Sequence, residues 1–150
     1  MEQKHTTELL KQNWELLMTS MESLSKSVNK CESIGIKTAY SFEETESIDS
    51  LTSKFARVSD IYTQKVIRGI WVLLHEPFVP FIDSMNMAEK TRIVSSSDAM
   101  LQIRDLRNQI AHEYLPEILK DLMKEVMGKY PVLKENIDQT DSFLRRRNWL

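Results

Sequence analysis

The sequence predicts an all-α protein, an up-and-down bundle of four or five helices forming one domain over residues 1–150. Two observations carry this. Apolar residues recur at alternating spacings of three and four through most of the chain, and only three glycines and four prolines interrupt 150 residues rich in Leu, Glu, Lys, Ile and Met. The length and a hydrophobic content of 41% suffice for a single core.

Leu10, Trp14, Leu17, Met21, Leu24, Val28 and Cys31 fall on one stripe, which predicts a first helix from about Thr7 to about Lys30. From Ser33 to Ser47, Gly35, several hydroxyl residues and the acidic cluster Glu43-Glu44-Glu46 read as a loop entering a helix. A second stripe follows at Ile48, Leu51, Phe55, Val58, Ile61 or Tyr62, Val66, Ile70 and Leu74. It predicts a long helix that ends near His75, stopped by Pro77 and Pro80. A shorter helix is expected around Met85 to Arg92.

Ser95-Ser96-Ser97-Asp98 offers side-chain oxygens to unpaired helix N–H groups and a carboxylate to the positive helix end, so a further helix starts there. Its expected core face is Ala99, Ile103, Leu106 and Ile110. Leu115-Pro116 breaks it, because the proline ring disfavours an α conformation at Leu115. The next helix runs from Pro116 to about Met127 with Ile118, Leu119, Leu122 and Val126 inward. Gly128 and Pro131 end or kink it, and Val132 to about Arg147 forms one more.

Composition excludes several classes. One cysteine, Cys31, cannot form an internal disulfide or a zinc cluster, so a reducing cytoplasm fits. MEQKHTTELL holds no apolar signal core and no apolar run spans a bilayer, so neither secretion nor membrane insertion is expected. A formal net charge of −2 provides no long-range attraction for nucleic acid, so any RNA contact must come from a local cationic pocket.

The chemistry concentrates in Arg107-Asn108-Gln109-Ile110-Ala111-His112-Glu113-Tyr114. On a helical wheel Arg104, Asn108, Ala111 and His112 lie opposite the apolar face, on a polar stripe that the core does not need. Arg107 and His112 stand about 140° apart around an ideal helix and about 7.5 Å apart along it, so one regular helix does not bring them together. Either the helix distorts before Pro116, or a twofold dimer sets a second stripe opposite the first, with small Ala111 permitting close approach. Arg107 supplies a permanent forked cation suited to phosphate, and His112, in the last turn of its helix, is placed to donate a proton.

The run RNQIAHEY resembles the Arg-x4-His-x-Tyr signature of HEPN proteins, in particular the HepT-like branch paired with minimal nucleotidyltransferases, including the polar Asn directly after the arginine. The AEK and SSSDAM segments and the Leu-Pro start of the following helix are also similar. The resemblance implies an endoribonuclease toxin, homodimeric, needing no metal or cofactor, with a minimal nucleotidyltransferase antitoxin as partner. In such an enzyme the ribose 2′-hydroxyl attacks the adjacent phosphorus. By the same resemblance Arg107 binds the phosphate, Asn108 orients it and His112 transfers a proton, while Tyr114 matches a tyrosine that the partner adenylylates in some relatives. A related possibility is a non-catalytic subunit that holds a nucleotide for its nucleotidyltransferase.

Plainer roles compete for the same residues. Arg104 is either a second phosphate contact or a surface partner of Asp105 or Asp98. Tyr114 is equally a boundary residue with its ring on the core. His5 and His75 read as surface or helix-end residues, and Trp71, Phe78 and Phe81 as core around the proline connection rather than a base-stacking platform. Arg145-Arg146-Arg147 reads as a solvated helix end, and the eight methionines as core filler.

Overall fold

All seven residues of the first stripe are buried in α1 (Glu2–Ile34), which starts and ends a few residues beyond the predicted limits. A computed structural model of the chain describes residues 2–112 and 116–150. Every assigned element in these residues is helical.

The loop after α1 turns at Gly35, whose φ of 76° is a left-handed conformation that costs glycine nothing. The Tyr40 hydroxyl accepts from the Lys37 N–H at 2.8 Å and reaches back to the Gly35 carbonyl at 3.2 Å. Then α2 (Phe42–Asp60) begins on a capping box: the Ser41 hydroxyl accepts from the Glu44 N–H, and the Glu44 carboxylate accepts from the Ser41 N–H. Glu44 also pairs with Lys37. These two contacts, the lysine first, hold its carboxyl below the usual carboxylate range.

The second stripe is not one regular helix. After Asp60 the chain passes into a π-helical segment (Ile61–Ile67) and only then into α3 (Arg68–Leu73). The π turn closes its hydrogen bonds one residue later than an α turn and is wider. Two pairs of neighbours in this segment, Ile61 with Tyr62 and Val66 with Ile67, are all buried.

At the end of α3, His75 adopts a left-handed φ of 58°, and the Glu76 N–H donates to the Trp71 carbonyl at 2.9 Å, closing the helix as a Schellman turn. An irregular stretch with Pro77 and Pro80 follows. Next comes α4 (Phe81–Lys90), with Pro80 at its N-cap, which starts and ends earlier than its predicted position.

As expected from the serine run, α5 (Ser97–His112) starts there, with the Ser96 hydroxyl accepting from the Ala99 N–H at 3.1 Å. Its buried face is Ser97, Met100, Ile103 and Leu106, rotated slightly from the predicted one. Ala99 and Ile110 are only partly buried. Met100 is long enough to fill the space that Ala99 cannot.

The last helix, α6 (Pro116–Arg146), corrects the expectation of two helices: it runs through Gly128 and Pro131. Pro131 cannot donate to the Met127 carbonyl, yet its ring is exposed, and the apolar face on both sides, from Leu122 to Val126 and on to Leu133 and Ile137, stays in the core.

α1 packs against α2, the π segment and α3, α2 also against α5 and α6, and α5 against α4 and α6. The buried apolar residues form one cluster across these elements. Among the described residues no helix is long and apolar enough to cross a membrane.

Candidate functional site

The junction of α2 with the π segment faces the polar stripe of α5, and between them opens a cleft of about 340 Å³. Asp60, the last residue of α2, meets Arg107 from α5. The guanidinium donates from Nε to Oδ1 at 2.8 Å and from Nη2 to Oδ2 at 2.9 Å, a two-pronged pair. The hydrogen bonds to Asp60 push the arginine further above its already high range, with burial working against them. Nη1 donates to the Asn108 side-chain oxygen at 3.3 Å. Of the five guanidinium N–H groups, one on Nη1 and one on Nη2 meet no partner among the described residues.

Arg107, Asn108 and Arg104 all line this cleft. Arg104 pairs with neither Asp98 nor Asp105; its guanidinium carbon lies 4.3 Å from the centre of the Phe81 ring. Across the cleft Arg68, from α3, lies 4.1 Å from the centre of the Phe78 ring. A ring beneath a guanidinium holds the cation in place without using up its N–H donors. Among the described residues no carboxylate pairs with Arg68 or Arg104. Three guanidiniums against the Asp60 carboxylate give the cleft two net positive charges on a chain whose own net charge is −2.

The aromatic cluster divides. Trp71 is buried as expected, with its indole N–H donating to the Ser84 hydroxyl at 2.8 Å. Phe81 is half-buried against the core. Phe78 corrects the reading: it is 57% exposed, on the irregular stretch between the two prolines, with Arg68 over its ring.

His112, at the last position of α5, is exposed and is not among the residues lining the cleft. α5 remains α-helical through His112, so a local distortion does not bring it to Arg107. Tyr114, expected as the modification site, lies outside the described residues. Ala111 is exposed on the far side of Asp60, where a second, shallower depression is lined by Arg57, Lys65 and Ile110.

His5 is exposed on α1, and His75 is exposed at its helix end. Arg145 pairs with Asp141 at 3.0 Å, and Arg147 lies over Phe143 and Trp149. Among the described residues no three His, Cys, Asp or Glu side chains are gathered as a metal ion would require.

Reading the sequence missed Asp60 and Arg68. Neither belongs to a recognisable motif; the only trace of Asp60 is a carboxylate set between the buried positions Val58 and Ile61. Comparison with models of known protein families, with curated proteins and with solved structures brings no match.

Proposed function

We propose that the chain is a HEPN-type endoribonuclease, the toxin of a pair whose antitoxin is a minimal nucleotidyltransferase, acting as a homodimer without metal. What carries this reading is the cationic cleft: Arg107 and Asn108 of the signature line it together with Arg104, on a protein that is otherwise anionic.

In the proposed reaction the RNA phosphate is bound by the N–H groups of Arg107 that Asp60 and Asn108 leave over. Asp60 holds the guanidinium flat and fixed, so the donors need little reorganisation as charge builds on the phosphate. The ribose 2′-oxygen bonds to phosphorus, the bond to the 5′-oxygen breaks, and His112 serves the proton transfers, leaving a cyclic phosphate and a 5′-hydroxyl. Because His112 stands outside the cleft of its own chain, the reading places it against the cleft of a second copy, across the exposed Ala111 face. Adenylylation of Tyr114 by the antitoxin, seven residues after Arg107 in the sequence, would add negative charge and oppose RNA binding.

One observation favours a second reading. The separation of His112 from the cleft within one chain suits a non-catalytic subunit that binds a nucleotide for a nucleotidyltransferase.

The deciding experiment incubates purified protein with single-stranded RNA in the presence of a chelator and compares wild type with His112→Ala and Arg107→Ala. Loss of cleavage in both variants supports the enzyme. RNA binding without wild-type cleavage supports the binding subunit, and cleavage unchanged in both variants removes the site.

A further inference from the structure

The cleft holds more than a phosphate requires. Phosphate alone needs cations and N–H donors, whereas this cleft sets two guanidiniums over phenyl rings, Arg68 over Phe78 and Arg104 over Phe81. Phe78 is 57% exposed with Arg68 over its ring, so part of its surface is open to a further planar group. Planar nucleobases are bound by such surfaces, because every base has a π face that packs on an aromatic ring or a guanidinium plane. Gln64, on the π segment, adds an amide that makes no hydrogen bond with a described residue, suited to the edge of a base. The volume, about 340 Å³, lies at the small end of the range for small-ligand sites.

We propose that this cleft is a subsite for one unstacked nucleotide of single-stranded RNA, its base on the Arg68–Phe78 stack and its phosphate between Arg104 and Arg107. Arg104 and Arg107 are three residues apart on α5 and share a face, so a single phosphate can meet both. An acidic peptide would use the arginines but leave the aromatic stacks idle. A duplex would keep its bases stacked and out of reach. The inference rests on the RNA reading above and narrows it: the substrate must present an unpaired base beside the bound phosphate.

The test uses the full-length protein and a short fluorescently labelled 2′-O-methyl RNA, which lacks the attacking hydroxyl and so reports binding alone. Affinity is measured for the intact oligonucleotide, for one with a central abasic residue, and for the duplex. Base–aromatic stacking is worth about 1–3 kcal/mol, which at 1.4 kcal/mol per tenfold is about 5- to 150-fold. The abasic oligonucleotide is expected to bind weaker by that factor, and the duplex weaker still.

Phe78→Ala, at an exposed position, and Arg68→Gln are each expected to lose that factor on the intact strand and much less on the abasic one. Equal binding of intact and abasic strands, equal losses on both, or a duplex bound as tightly as the single strand overturns the subsite. Cleavage of unmodified RNA is scored separately. A wild type that binds base-dependently but never cleaves keeps the subsite and sinks the nuclease, and one that cleaves with no base dependence does the reverse.

Discussion

The π segment has two faces, and they treat polar groups in opposite ways. Inward, the Tyr62 hydroxyl is fully buried and lies 2.6 Å from the Thr140 hydroxyl, which in turn lies 2.6 Å from the Ile93 carbonyl. The Tyr62 hydroxyl also donates to the Asn136 carbonyl at 3.0 Å. One turn away the buried Asn136 accepts from the N–H groups of Ser95 and Ser96 at 3.0 and 3.1 Å and donates to the Val132 carbonyl, so α6 pins the start of α5. Outward, on the cleft side, Arg107 keeps spare donors and Arg68 and Arg104 rest on rings rather than on carboxylates. A closed network fixes a fold and has nothing left for a ligand; an incomplete one is stable only where water or a ligand finishes it.

The largest effect expected from this contrast is on activity. Arg107→Ala should lower RNA cleavage by about 10²- to 10³-fold, the usual result of removing a donor to developing charge. Its stability should fall by less than about 1 kcal/mol, because the ion pair with Asp60 is about one-third exposed on each side. A melting loss as large as that of an inner-face variant would erase the distinction.

On the inner face, Asn136→Ala strands two backbone N–H groups and should cost about 2–4 kcal/mol in urea unfolding, with the start of α5 exchanging its amide hydrogens faster. Cleavage measured well below the melting temperature should change little. A stability loss under about 1 kcal/mol would show that Asn136 is not what holds the two helices together.

A third effect is set by pH. Burial pushes the Tyr62 phenol well above its ordinary range, with the Thr140 hydroxyl opposing weakly. The folded protein therefore keeps this phenol neutral where the unfolded chain ionises. The stability it contributes is complete below about pH 10 and declines as pH rises further, by up to about 1.4 kcal/mol per pH unit. Urea midpoints of wild type and Tyr62→Phe should converge between neutral pH and pH 11, and parallel curves would contradict the assignment.

The smallest effect concerns His75. Its left-handed φ of 58° costs a β-carbon-bearing residue about 1 kcal/mol that glycine avoids. His75→Gly should raise the melting temperature slightly or leave it unchanged, with cleavage intact, since the imidazole lies outside the cleft lining. A substantial destabilisation would mean that the imidazole itself holds the end of α3.

Much of the bundle is written in local pattern. The α1 stripe needs only periodicity, and the start of α5 needs only the hydroxyl run before Met100. Two features escape such reading. The sequence leaves Ile61 and Tyr62 as alternatives for one inward position, whereas the structure buries both, in a segment whose π turn the spacing does not announce. Pro131 reads as an end or a kink, yet α6 continues, since packing on both sides outweighs one missing hydrogen bond.

In the site, the signature brings Arg107 and Asn108 into view because they are close in sequence. Asp60 and Arg68 come from another helix, and a single sequence carries no sign that they face Arg107. The exposure of Phe78 is equally a tertiary fact: an aromatic residue between two prolines fits a core corner as well as a rim.

The widened turn at residues 61–67 also makes the number of residues a structural quantity. Upstream, α2 is phased to α1 and α6; downstream, Arg68 and Trp71 are phased to the cleft. Deleting one residue between them would return the segment to uniform stepping and swing both side chains about 100° around the axis. One wall of the cleft would rotate away while the upstream core stayed in register, so at this spot a length change is more damaging than most changes of residue type.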